Sequence, residues 1–106
     1  MTTVKMLRTR RAEPWKLELL AAEVHLSRSQ LARSFAATVG MSPMAYLRKV
    51  RVEQMARLLA STALSIGEAA RSVGWTNRFH ATRCFHAHYG VSPIEYRHRQ
   101  ASAPLG

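Results

Sequence analysis

The chain has 106 residues, and 16 Lys plus Arg face only six acidic residues, all Glu, for a formal net charge of +10. That length makes one domain, or two very small subdomains sharing a connector, and 47% hydrophobic residues supply a core. No apolar run reaches the length of a membrane-spanning helix, and a chain without Asp, whose Glu residues share no cleft, offers no catalytic carboxylate pair. The excess of cations points to a polyanion partner, and 13 of the 16 are Arg. The planar guanidinium suits bidentate recognition of phosphate or guanine, so nucleic acid is favoured over a membrane surface.

In chain order, the first segment, MTTVKMLRTRRAEPW, has no apolar stretch of a secretory signal, and Val4 to Leu7 is where a helix would begin. Pro14-Trp15 is expected to open a helix to about Glu23 or Val24, with Trp15, Leu19, Leu20 and Val24 on its apolar side. Ser27 is the N-cap of a helix to about Val39, with Leu31 and Phe35 facing the core. Pro43 opens a longer helix to about Ala60, whose stripe is Tyr46, Leu47, Val50, Met55, Leu58 and Leu59. Ser65-Ile66-Gly67-Glu68 reads as a capping box that starts a short helix to about Val73. Asn77 caps a helix to about Tyr89, and Pro93 opens the last, to about Gln100. No sustained period-2 alternation and no hairpin dipeptide occurs, so the fold class is all-α.

The chain also repeats itself. Residues 40–48, GMSPMAYLR, return at 90–97 as GVSPIEYR. A shift of 50 brings Arg28, Arg33, Phe35, Ala37, Gly40, Ser42, Pro43 and Tyr46 onto identical residues. Gly suits a left-handed helix stop, and Ser-Pro suits a cap followed by the first helical position. The unit is therefore helix, Gly stop, Ser-Pro start, helix, used twice. Two helices joined by a tight turn, twice, on a basic chain is the pattern of two helix-turn-helix units. The turns are His25-Leu26-Ser27 and Gly74-Trp75-Thr76-Asn77. The expected organisation is a first subdomain at 1–42, a central linker helix at 43–61, a second subdomain at 62–100 and a disordered tail at 101–106.

The second helix of such a unit enters a major groove by its N-terminal part. With Leu31 and Phe35 turned inward, Arg28, Ser29, Ala32, Arg33 and Ala36 form the outer face. Its counterpart is Arg78, Phe79, Thr82, Arg83 and His86. Arg28 and Arg78 lie in a first turn, where the helix dipole disfavours a cation, and a DNA contact offsets that cost. A guanidinium fork matches guanine O6 and N7, Ser29 and Thr82 suit base or phosphate, and Phe79 suits a thymine methyl. The caps Ser27 and Asn77, together with Arg48 and Arg97, complete the expected DNA-binding set. Of Arg48, Lys49, Arg51 and Arg57, at least one is expected to be structural, Arg51 foremost. His80, Cys84 and His88 align at helical spacing, but their counterparts Gln30, Ser34 and Thr38 bind no metal. No fourth ligand stands out, so the expectation is no metal and no cofactor. Cys84 is alone and forms no internal disulfide, which suits a reducing cytoplasm.

These motifs, taken in order, resemble the AraC/XylS type of DNA-binding domain over residues 15–98. They are Ser27-x3-Leu31-x-Arg33-x-Phe35, Gly40-x-Ser42-Pro43-x2-Tyr46-Leu47 and Arg51-Val52-x2-Met55-Ala56-x2-Leu59. Ser65-Ile66-x-Glu68-Ala69-Ala70-x2-Val73-Gly74-Trp75 follows, and Arg83-x-Phe85-x4-Gly90-x-Ser92-Pro93-x2-Tyr96-Arg97 closes the series. The resemblance implies two helix-turn-helix subdomains joined by one rigid helix, with both recognition helices in successive major grooves, and a role in transcription, usually activation. One departure concerns the second recognition helix, where the family's large apolar residue falls at Ala81 and a small or polar one at Phe79. Here the two are exchanged, so either Phe79 rotates inward or the helix packs differently.

The expected function is that of a sequence-specific transcriptional regulator, not an enzyme. It would bind double-stranded DNA as a monomer, since one chain carries both readers. RNA polymerase is the candidate second partner, and the setting is a bacterial or phage-derived, nucleoid-associated cytoplasmic protein. Two alternatives stay open: an adaptor that binds polymerase or another regulator through this fold, and the DNA-binding part of a larger ligand-sensing regulator. The Met1 start favours a complete small protein.

Overall fold

A computed structural model describes residues 2–102, which hold seven helices and no strand. They are α1 (Thr2–Thr9), α2 (Leu17–Glu23), α3 (Arg28–Val39), α4 (Pro43–Ser61), α5 (Ile66–Ser72), α6 (Arg78–Tyr89) and α7 (Pro93–Ser102). The chain divides into two compact units, one up to Val50 and one from Arg51 on. The boundary falls inside α4, so this helix is more than a connector. Its first half gives Tyr46, Leu47 and Val50 to one core, and its second half gives Val52, Met55, Ala56 and Leu59 to the other. The expected tail from residue 103 on lies outside the described residues, while Ala101 and Ser102 still belong to α7.

The starts and stops follow the residues that were placed to make them. Ser27 accepts from the Gln30 amide while Gln30 accepts from the Ser27 amide, and Ser65 and Glu68 repeat this box at α5. At the last box, hydrogen bonds from Ser65 hold the Glu68 carboxyl below its usual range. Ser42 and Ser92 cap α4 and α7 by accepting from Ala45 and Glu95 at 3.2 and 3.1 Å. Gly40 and Gly90 end α3 and α6 in the left-handed region, at φ 86° and 76°. A Cβ at either would meet nothing within 4 Å, so backbone conformation alone, not space, selects glycine there.

The first turn departs from expectation. α2 begins at Leu17, with extended Lys16 as an N-cap that makes no side-chain bond. Trp15 stays outside the helix because its buried indole N–H finds a partner there, the Arg10 carbonyl at 2.9 Å. With Trp15 outside the helix, the apolar face is Leu17, Leu20, Ala21 and Val24, spaced three and four apart, and Leu19 lies off it, 51% exposed. It also refines the repeat. α2 and α5 are related by a shift of 49, as are the turn bonds from Leu26 to Ala21 and from Trp75 to Ala70, both 3.0 Å. From Ser27 and Asn77 onward the shift is 50. Thr76 is the extra residue in the second turn. His25 holds φ 58° where Gly74 holds 112°.

Each unit closes over a phenylalanine of its second helix. Phe35 lies edge-on to Tyr46 at 5.6 Å between ring centres, and Phe85 meets Tyr89 at 4.8 Å and Tyr96 at 5.4 Å. Leu31 and its counterpart Ala81 are both buried. Phe79 does not turn inward to compensate for the smaller Ala81, since it is 66% exposed. Tyr89 stands where the first unit has Val39 and supplies aromatic bulk to the same cluster. α6 thus keeps its register on Ala81 and Phe85, four residues apart on one face.

Arg97, one of the expected DNA-facing residues, makes its contacts within its own unit. It is half-buried, and its guanidinium donates to the Leu59 carbonyl at 3.0 Å and the Thr62 carbonyl at 3.4 Å, at the end of α4. These orphan carbonyls have no helical donor, and a cation there also suits the dipole. Arg97→Ala is expected to lower stability by about 1–3 kcal/mol, read as a denaturant midpoint, with the DNA sequence preference unchanged. A changed preference at unchanged stability would return Arg97 to the DNA-facing group.

Candidate nucleic-acid interface

In the first unit, α2 and α3 flank the turn at His25 to Ser27. Ser27 spends its hydroxyl oxygen on the Gln30 amide and keeps its O–H as a donor at the helix start. Arg28, Ser29, Arg33 and Ala36 are exposed and Ala32 is half-exposed, on the side opposite Leu31 and Phe35. Arg28 reaches Glu18 of α2 at 3.1 Å, with both side chains largely in solvent. Such a pair contributes about 0–1 kcal/mol and holds Arg28 only weakly. Arg33 makes no ion pair or hydrogen bond among the described residues.

The second unit repeats this arrangement. The Asn77 carbonyl oxygen accepts from the amides of Phe79 and His80 at 2.8 and 3.2 Å, leaving its NH2 free to donate. Arg78, Phe79, Arg83 and His86 are exposed and Thr82 is half-exposed. Arg78 lies over the Phe79 ring at 5.4 Å, a cation–π contact. Thr82 donates its O–H to the Arg78 carbonyl at 2.9 Å, so that donor is already engaged within the helix. Arg83 makes no ion pair or hydrogen bond among the described residues.

On α4, Arg48 is exposed, while Arg51 is half-buried and burial lowers its pKa from the usual arginine range. That fits the expectation of one structural cation in this group. Cys84 is half-buried against the second core, whereas His80 and His88 stand in solvent. Among the described residues no three His, Cys, Asp or Glu side chains gather as metal ligands do. No described helix is long and apolar enough to cross a membrane.

Two features escaped the sequence reading. Ile94 is 70% exposed at the start of α7, beside Phe79 in one cleft. Its position was readable, because Pro93 and Tyr96 face inward and place residue 94 outward. The structural role of Arg97 was readable too, since the repeat sets it where the first unit has buried Leu47.

A family model described as a helix-turn-helix domain matches residues 20–99. The chain is 30% identical to the DNA-binding domain of AdpA, a global transcriptional factor solved in complex with a target DNA. The match covers 99% of this chain and 96% of that one, with a TM-score of 0.92. A putative AraC-like transcription regulator of Streptomyces antibioticus is 36% identical over 86 residues, 81% of this chain and 28% of its own length. The chain belongs to the AraC-type helix-turn-helix family. Another relative, the transcriptional regulator MtrA of Neisseria gonorrhoeae, is 38% identical over 85 residues, which is 80% of this chain and 28% of that protein. This AraC-type chain thus spans little more than a quarter of the curated relatives' length.

Proposed function

We propose that the chain is a sequence-specific DNA-binding transcriptional regulator that places α3 and α6 in major grooves of promoter DNA. One observation carries the reading above the others: both second helices present Arg at their first and sixth positions on an exposed face, over the same buried phenylalanine. A fold kept for an adaptor has no need to keep that pair twice. The likeness to a domain solved on its DNA supports the same partner. Arg33 and Arg83 are the base readers, each a fork for guanine. Arg28, Arg78 and Arg48 hold phosphates, and the donors left on Ser27 and Asn77 do so as well. Ser29, Ala32 and His86 border the base edges.

In this reading the protein binds as a monomer, one chain supplying both readers, and activates transcription in the cytoplasm beside RNA polymerase. Sedimentation of the complex tests the first point: one chain per site is expected, and two would overturn it.

Arg33→Ala is expected to cost about 1–3 kcal/mol of binding and to erase the preference at one position of the site. Arg83→Ala does the same at a separate position. Binding-site selection with each variant checks this. If either variant weakens all sequences alike and shallows the salt dependence by about one unit, that arginine holds a phosphate instead.

A further inference from the structure

Resting on the DNA-binding reading, we propose that Phe79 and Ile94 form an apolar reader for the C5-methyl group of thymine, making Phe79 a specificity-determining residue of the second unit. Four large apolar side chains are exposed among the described residues, and these two are the most so, at 66% and 70%. They line a single cleft of about 250 Å³ together with Ile66, Arg78, Thr82, Ser92 and Pro93. Phe79 is the second residue of α6, in the first turn, the part of a recognition helix that meets base edges.

The cleft is poor in free donors. The Thr82 O–H is bonded to the Arg78 carbonyl, and the Phe79 amide to Asn77. What remains is the Arg78 guanidinium, the O–H of Ser92, whose oxygen accepts from the Glu95 amide at 3.1 Å, and the hydrocarbon of Phe79, Ile94, Ile66 and Pro93. Phe79 and Ile94 themselves offer nothing for an amide or carbonyl edge to pair with, and among the four base pairs only the thymine edge adds a methyl to the major groove. The partner's charge is set by Arg78, which lies over the Phe79 ring at 5.4 Å and draws a polyanion to the same spot. The counterpart of Phe79 in the first unit is Ser29, so the two units read different chemistry at this helix position.

The test is replacement of thymine by deoxyuridine, which lacks only the methyl, through a site selected by the intact chain. The expected result is a loss of about three- to ten-fold at one or two positions. That penalty disappears in Phe79→Ala and is largely kept in Phe79→Leu, whose side chain stays apolar. As Phe79 lies in solvent, both variants are expected to fold, with unchanged helicity by circular dichroism. If the chain binds a selected site and no thymine methyl matters, the inference fails while the DNA-binding reading stands. It fails equally if the penalty persists in Phe79→Ala. If no sequence is selected at all, both readings fall together.

Discussion

Raising the salt from 50 to 200 mM is expected to lower the DNA affinity of this chain roughly 40-fold. Three exposed cations are assigned to phosphates, Arg28, Arg48 and Arg78, while Arg33 and Arg83 read bases. Arg97 is left out because it serves the end of α4. Each phosphate neutralised by a cation releases condensed counterions and adds about −0.9 to the slope of log affinity against log salt. Three such contacts give a slope of roughly −2.7, and a fourfold rise in salt then yields the stated loss. The weak surface pair of Arg28 with Glu18 does not change the count, since it too is screened. A titration by fluorescence anisotropy at four salt concentrations measures the slope. A value shallower than about −2 would contradict the proposed interface and favour an adaptor that binds protein.

Phe35→Ala and Phe85→Ala are each expected to destabilise their unit by about 3–5 kcal/mol, a large part of the roughly 5–15 kcal/mol that holds a domain folded. Both rings are fully buried, and each sits on the tyrosine that follows the repeated Ser-Pro. Truncation removes the apolar area and leaves a cavity beside a second helix. In the second unit Ala81 offers little side chain to collapse into that space, although Tyr89 adds a second aromatic contact. Thermal unfolding followed by circular dichroism reads the effect, with a midpoint at least ~12 °C below that of the parent chain. A shift of a few degrees for either variant would show that the ring is not the keystone of its core.

Most helix boundaries were legible because capping is local chemistry. Ser27, Ser65 and Asn77 accept from amides two or three residues away, and Gly40 and Gly90 need only a left-handed backbone. The α2 start was missed for the opposite reason. Pro14 suggests a helix start, but what decides it is the indole of Trp15 bonding to Arg10, a contact that spacing rules do not contain. Leu19 was misplaced with it, since it lies off the face that Leu17, Leu20, Ala21 and Val24 share. The outer faces of α3 and α6 were legible from Leu31, Phe35, Ala81 and Phe85, because four-residue spacing sets one face in and the other out. The bond of Arg97 to the end of α4 was not visible from residue type, since charge alone does not tell a DNA contact from a helix-end contact. The Phe79–Ala81 exchange could not be decided from sequence, because two packings satisfy the same pattern.

The central claim is that one chain carries two readers of DNA sequence. Selection of binding sites from random double-stranded DNA by the monomeric chain tests it most directly. The expected site has two preferred blocks, centred one helical turn, about 10 bp, apart, one altered by Arg33→Ala and the other by Arg83→Ala. Recovery of a single block, or of no preferred sequence despite binding, would contradict it.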